Sequence, residues 1–216
     1  MLFEDFRQLV QSRRSIRDFS EESVTVSDIH DIIDCARYAP SDTNSQTWEF
    51  IAIMNRDKIK DIERITWEQL HIIAAASVEK GLKKEAKLLL KSFGPYATAF
   101  NNAPVLLVCL STPYASKFRD RIFDPLEFGS ASIWAEESLK SSSLAIQNMM
   151  LAAHSKGLAT CPLTGPVLLA EQELRNYLTI PDDRGINMVV ALGHPAIQPQ
   201  KTMARKEVTE ILTFIE

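Results

Sequence analysis

Ala39-Pro-Ser-Asp-Thr-Asn-Ser-Gln-Thr-Trp48 separates two apolar patterns of different period and decides how the elements on either side meet. Before it, Ile29, Ile32, Ile33, Ala36 and Arg37 recur at helical spacing behind an N-cap-like Val26-Ser27-Asp28. Pro40 stops that helix, because its ring and missing N–H do not fit a continuing turn. After it, Trp48-Glu-Phe-Ile-Ala-Ile-Met54 reads as a largely buried strand. A loop so rich in amides and hydroxyls, held between two apolar elements, presents several hydrogen-bonding groups to one ligand. The same residues also fit an ordinary turn before a strand.

Upstream, residues 3–11 read as a short helix with Phe3, Phe6, Leu9 and Val10 on one face. It runs into Arg13-Arg-Ser-Ile-Arg17. Arginines clustered around a serine suit a dianion, since the guanidinium fork matches phosphate oxygens and the hydroxyl adds a donor. A solvated basic helix end, favoured by the helix dipole, is the plainer reading of the same stretch.

Downstream, a helical pattern covers about 56–92, with a break expected in Ala74–Gly81. Asn102–Leu110 is a second buried strand, with Pro104 at its start where a missing donor is tolerated. Residues 111–131 carry Pro113, Pro125 and Gly129 without a clean period, which fits a lid, a binding loop or a surface excursion. Residues 132–156 form the longest helix, small or apolar nearly all round, ending at Gly157. Leu158–Cys161 is a short strand, Pro162–Pro166 a tight loop, Ala170–Leu178 a helix, Asn187–Leu192 a fourth strand and Gly193-His-Pro195 a turn. The tail, about 196–216, is polar and then apolar, and a partner subunit would cover its apolar part.

At 216 residues and 45% hydrophobic, the chain fits one domain, 1–216. Lys and Arg number 24 against 28 Asp and Glu, a net charge of −4 that gives no basis for a nucleic-acid surface or an anionic membrane. The acidic N-terminus lacks the form of a signal peptide, and no apolar run approaches the ~18 residues of a bilayer span, so a cytoplasmic location is expected. Cys35, Cys109 and Cys161 lie in apolar settings and read as buried thiols, without zinc-ligand spacing. A Gly-x-Gly-x-x-Gly turn, a P-loop and a Gly-x-Ser-x-Gly elbow are all missing, and no His or Cys cluster suggests a metal. What remains is two polar loops and an arginine cluster, suited to an anionic cofactor that brings its own reactivity.

Arg13-Arg-Ser-Ile-Arg17 with Phe19, then Ala39–Trp48, resembles the N-terminal signature of the nitroreductase-like FMN-dependent oxidoreductases. Gln147–Ala153 with Gly157-Leu158 resembles that family's core helix, and Ala191-Leu-Gly-His-Pro195 with Arg205 its last strand and phosphate-binding tail. The resemblance implies an α+β fold, an α-β-α sandwich with a mainly antiparallel sheet around a central helix. It implies an interlocked homodimer with two FMN sites at the interface. It implies ping-pong transfer from NADH or NADPH through FMN to a small oxidised acceptor, a nitroaromatic or a quinone. Relatives on the fold run flavin fragmentation, dehalogenation or dehydrogenation, and a non-catalytic flavin-binding protein is a further alternative.

Carried across by residue, Arg13, Ser15 and Arg205 bind the FMN phosphate, with Arg14 beside them, and Arg17 reaches the pyrimidine end. Thr164 offers its backbone N–H to flavin N5, flanked by Leu163 and Gly165. Pro40, Ser41, Asn44 and Gln46 come from the other subunit. Thr47 stands where the family commonly has Pro and His194 where Tyr is common. Residues 76–131 match no family motif.

Overall fold

The computed structural model describes residues 2–197 and 204–215. Along them run α1 (Phe3–Ser12), α2 (Val26–Ala36), β1 (Glu49–Ile53), α3 (Arg56–Glu79), α4 (Lys83–Leu88), α5 (Gly94–Ala97), β2 (Val105–Ser111), α6 (Ala131–Ser155), β3 (Ala159–Leu163), α7 (Gly165–Leu178), β4 (Gly185–Gly193) and α8 (Val208–Ile211). The strands pair antiparallel in the order β1-β2-β4-β3. β2 is buried at every residue, as an unbroken apolar run between two layers should be.

Strand alternation sorts the core into two halves. On one face Leu106, Val108, Val189, Ala191, Cys161 and Leu163 pack against Ile59, Ile62 and Ile65 of α3 and Ala170 and Leu174 of α7. On the other, Val105, Leu107, Val190 and Leu192 meet Ile29, Ile32 and Ala36 of α2 and Ile146, Met149 and Ala153 of α6. The result is the expected α-β-α sandwich, and truncating a fully buried side chain such as Ile146 to Ala would cost about 2–5 kcal/mol. The cap of α2 is Thr25, one residue before the stretch Val26–Asp28 read as its cap: Thr25 Oγ1 accepts from Asp28 N at 3.0 Å, and Asp28 accepts from Thr25 N at 3.2 Å.

Several boundaries differ from the sequence reading. The break expected in Ala74–Gly81 falls at the far end of that range, at Gly81 (φ +82°), so α3 stays whole through Glu79. A π-helical turn, Leu89–Phe93, then links α4 to α5. Pro162 belongs to β3 rather than to a loop, which its lack of an N–H permits on an edge strand. α7 begins at Gly165 and kinks at Ala170, where the sequence pattern had placed its start. Cys109 and Cys161 are buried, but Cys35 is exposed, on the outer side of α2 between Ile32 and Ala36. The tail reading covers residues 198–203, which lie outside the described residues. Among the described residues no helix is long and apolar enough to cross a membrane.

Candidate functional site

After α1 the chain runs extended alongside the free edge of β3. Ile16 N donates to Thr160 O at 3.0 Å, and Ser15 and Thr160 form a parallel bridge. The arginine segment thereby extends the sheet's edge instead of continuing α1.

Arg13, Arg14 and Ile16 line a cavity of about 200 Å³ together with Ser12, His154 and Thr160. Arg13 Nη1 is buried and has no hydrogen-bond partner among the described residues, and neither has Thr160 Oγ1. Such orphans cost free energy unless a ligand satisfies them. Burial, then the neighbouring charges of Arg14 and Arg205, hold the Arg13 guanidinium below its usual pKa, with Cys161 opposing. An anion placed among these cations would relieve that repulsion and supply the missing acceptors. The donor set therefore fits a phosphate group.

The remaining predicted residues divide into four places. Arg14 Nη1 donates to Arg13 O at 2.7 Å, and Arg205, exposed, donates to Ala204 O at 3.0 Å while still acting on Arg13. Arg17 does not line the cavity; it donates to the Tyr96 hydroxyl beyond it. Leu163 ends β3, and Thr164, exposed, is the N-cap of α7, whose first backbone N–H groups have no intrahelical partner. Gly165 permits the approach of α7 to α5: a Cβ there would sit 2.6 Å from Ala97 Cβ.

Pro40, Ser41, Asn44 and Gln46 are held elsewhere, against the N-terminal half of α6. Asp42 N donates to Ser141 Oγ at 3.3 Å, and the buried Thr47 donates its hydroxyl to Ser138 O at 3.4 Å. Threonine in place of proline thus ties the loop to α6. Ser41 Oγ accepts from Gln46 N at 3.0 Å, and Thr43, Asn44 and Gln46 all take positive φ. A left-handed conformation is uncommon outside glycine and asparagine, so the loop is a strained, specified shape. His194 lies 3.5 Å from Glu22.

The sequence missed two residues. Tyr96 lies in the stretch that matched no motif, and its ring is the partner of Arg17. His154 carried a signal, a basic residue in the last turn of the core helix, which reads equally well as a dipole partner. The insert 111–131 folds around a π-helical turn, Arg119–Phe123, with Tyr114, Arg119 and Trp134 lining a separate cavity of about 240 Å³.

The structure is a three-layer α+β sandwich with an arginine-bearing segment laid along its edge strand. Residues 10–194 match the Nitroreductase family, and the chain belongs to that family. It is 30% identical to the nitrobenzene nitroreductase of Ectopseudomonas oleovorans over 96% of this chain and 95% of that protein. A BluB-like flavoprotein from Clostridium difficile superposes with a TM-score of 0.85 at 25% identity, covering all of both chains. A nitroreductase with bound FMN from Bacteroides fragilis superposes with a TM-score of 0.68 at 24% identity, over 97% of this chain and 98% of that one.

Proposed function

We propose that the protein is an FMN-dependent oxidoreductase that carries reducing equivalents from NADH or NADPH to a small oxidised acceptor, a nitroaromatic or a quinone, in a ping-pong cycle. The observation that carries this reading is the cavity at the edge strand, where Arg13 Nη1 and Thr160 Oγ1 stand buried and unpartnered among three arginines. Arg13, Ser15 and Arg205 hold the phosphate, with Arg14 beside them. Charge-assisted hydrogen bonds of about 1.5–3 kcal/mol each make a strong anchor. Arg17, a fixed positive charge, favours electron density at the pyrimidine end, and the backbone N–H of Thr164 orients N5, with Leu163 and Gly165 alongside. Bound FMN supplies the redox chemistry itself, so the protein needs no nucleophile of its own.

Pro40, Ser41, Asn44 and Gln46 serve the flavin of a second copy. Apolar groups open on one chain support a homodimer: α1 buries none of its residues, Leu139 and Leu144 are exposed on α6, and Ile211 and Phe214 are exposed in the tail. The experiment is absorbance of the purified protein, then stopped-flow reduction of its flavin by each nicotinamide and reoxidation by quinones and nitroaromatics. Colourless protein that takes up no FMN overturns the reading.

Likeness to the iodotyrosine deiodinase of Thermotoga neapolitana, 26% identical over 93% of each protein, supports a second reading, in which the flavin serves dehalogenation. Bound FMN that neither NADH nor NADPH reduces would favour it, or a flavin-binding sensor.

A further inference from the structure

His154 Nε2 lies 2.8 Å from the hydroxyl of Ser12, the last residue of α1. Both residues line the cavity that holds Arg13, Arg14 and Thr160. The family resemblance gives His154 no part in flavin binding.

Resting on the flavin reading above, we propose that His154 is a proton-linked arm of the phosphate cradle: it takes up one proton when a phosphate group enters, and so ties FMN affinity to pH.

Three features of the cavity carry this. First, the ring is already anchored. Ser12 Oγ also lies 3.2 Å from Leu9 O, so when the hydroxyl proton points there, Nε2–H donates to Ser12 and Nδ1 stays open for a proton from solvent. Second, the charges around the ring are one-sided. Burial, then Arg13 and Arg14, press His154 below its usual pKa. On its own helix, Lys156 is turned away to Asp28, at 3.2 Å, and Asp31 of α2. Arg205 of the tail acts on Arg13, Thr160 of β3 is uncharged, and among the described residues no carboxylate lines the cavity. A phosphate dianion in the cavity would then bring a negative charge beside the ring, and its arrival would oppose the field that keeps the imidazole neutral. Third, Thr160 keeps only 2% of its surface exposed, yet its Oγ1 has no partner among the described residues. The cavity holds a buried donor waiting for an acceptor.

The sign follows from linkage. The His154 pKa in the loaded protein lies above that in the free protein. FMN therefore binds best below the lower value and loses about tenfold in affinity per pH unit between the two. The second ionisation of a phosphate monoester near pH 6 acts on the acid side, so the window to read is roughly pH 6.5 to 8.5.

The test is an FMN titration by fluorescence quenching across that window for wild type, His154→Gln and His154→Lys, with riboflavin in parallel. The wild-type Kd for FMN should rise about tenfold toward alkaline pH, His154→Gln should be flat and weak, and His154→Lys flat and tight. Riboflavin, without the phosphate, should show no such slope in any protein. NMR titration of the His154 Cε1–H in wild type should show its pKa raised by FMN, and this stands even where a variant folds poorly. FMN binding with the same slope in wild type and His154→Gln, or an unmoved ring pKa, overturns the role of His154 alone. Wild type that binds no FMN at any pH overturns both this role and the flavin reading.

Discussion

Arg17 donates through Nη2 to the Tyr96 hydroxyl at 2.9 Å, and its guanidinium carbon lies 4.6 Å from the centre of that ring. The pair turns one arginine of the cluster away from the cavity of Arg13 and Arg14 and fixes it beside α5. If that charge faces the pyrimidine end of FMN, it sets the flavin's potential more than its affinity. A unit charge at ~4 Å in an effective dielectric of ~20 is worth at most about 4 kcal/mol. At ~30 mV per 1.4 kcal/mol for two electrons the ceiling is roughly 90 mV. Arg17 is exposed, so screening lowers the effect to tens of millivolts. Spectroelectrochemistry of FMN-loaded Arg17→Ala should find the midpoint lowered by that amount; an unchanged or raised potential removes the role.

Gly165 is held by space. A Cβ at this position would lie 2.6 Å from Ala97 Cβ and 2.9 Å from Ala97 Cα, and backbone does not give way as a flexible side chain would. Gly165→Ala should cost about 1–3 kcal/mol through overpacking. Adding Ala97→Gly should recover part of the loss, because the closest of the clashing atoms is then gone. Urea denaturation of the double-mutant cycle reads the coupling, and additive costs would show that the close approach is not what requires glycine.

The layers were legible because they follow from periodicity. Ile29, Ile32 and Ala36, or Ile59 and Ile62, can sit on only one side of a helix, and a run such as Val105–Leu110 must be buried on both faces. The arginine segment and the polar loop were legible as chemistry, since few other uses gather those donors. What periodicity does not carry is where a break falls or which way a side chain turns. The kink at Ala170 is a backbone event that leaves the apolar pattern intact, whereas the break at Gly81 was marked by the glycine itself. Arg17 and Arg13 look alike in a string of letters, yet an aromatic ring 79 residues downstream takes one and the cavity keeps the other. Cys35 was misjudged because an apolar neighbourhood in sequence is not an apolar neighbourhood across a helix face.

Acid should destabilise the flavin-free protein through His154. Burial, Arg13 and Arg14 lower its folded-state pKa below the usual 6.5, so the unfolded chain binds more protons in the window between the two values. Stability is then fully present above pH ~6.5 and falls as pH drops toward the folded value. Asp28 and Asp61, whose pKa values are lowered by Thr25 and Lys156 and by Tyr177 and Arg64, lose their contribution only at lower pH, below 3.8. Chemical denaturation from pH 7.5 to 5 should show a slope in wild type that His154→Gln flattens. An identical slope in the variant assigns the effect to another group.

The insert 111–131 packs an aromatic knot onto α6. Tyr114 stacks on Trp134 at 6.0 Å, Phe123 lies 5.8 Å from the same ring, and Arg119 lies over it at 5.4 Å. None of these residues lines the cavity of Arg13 and Arg14. As a lid, the insert should govern which acceptor enters. Replacing 117–128 with a short Gly/Ser linker should change the kcat/KM ratio between a quinone and a nitroaromatic by roughly fivefold or more, with flavin content unchanged. Loss of FMN on shortening would count against a pure lid.

The two halves of the proposed site meet α6 at separate points, one near its middle and one in its last turn. Ser141 of α6 meets the polar loop through Asp42, whereas His154 of α6 meets the arginine segment through Ser12. At ~1.5 Å of rise per residue, the step from 141 to 154 is about 20 Å. Among the described residues, no contact joins Asn44 or Gln46 to the cavity of Arg13, which is why the role proposed for them is at a flavin bound by a second copy. That arrangement makes complementation the decisive experiment. Pair an Asn44→Ala/Gln46→Ala chain with an Arg13→Ala/Arg17→Ala chain by co-expression under two tags. Each mixed dimer then holds one site with both its arginines and its loop, and one site lacking both. Tandem-purified heterodimers should bind close to one FMN per dimer, well above either mutant homodimer. If they bind no more than those homodimers, the loop does not serve a flavin across the interface, and Asn44 and Gln46 lose their place in the site.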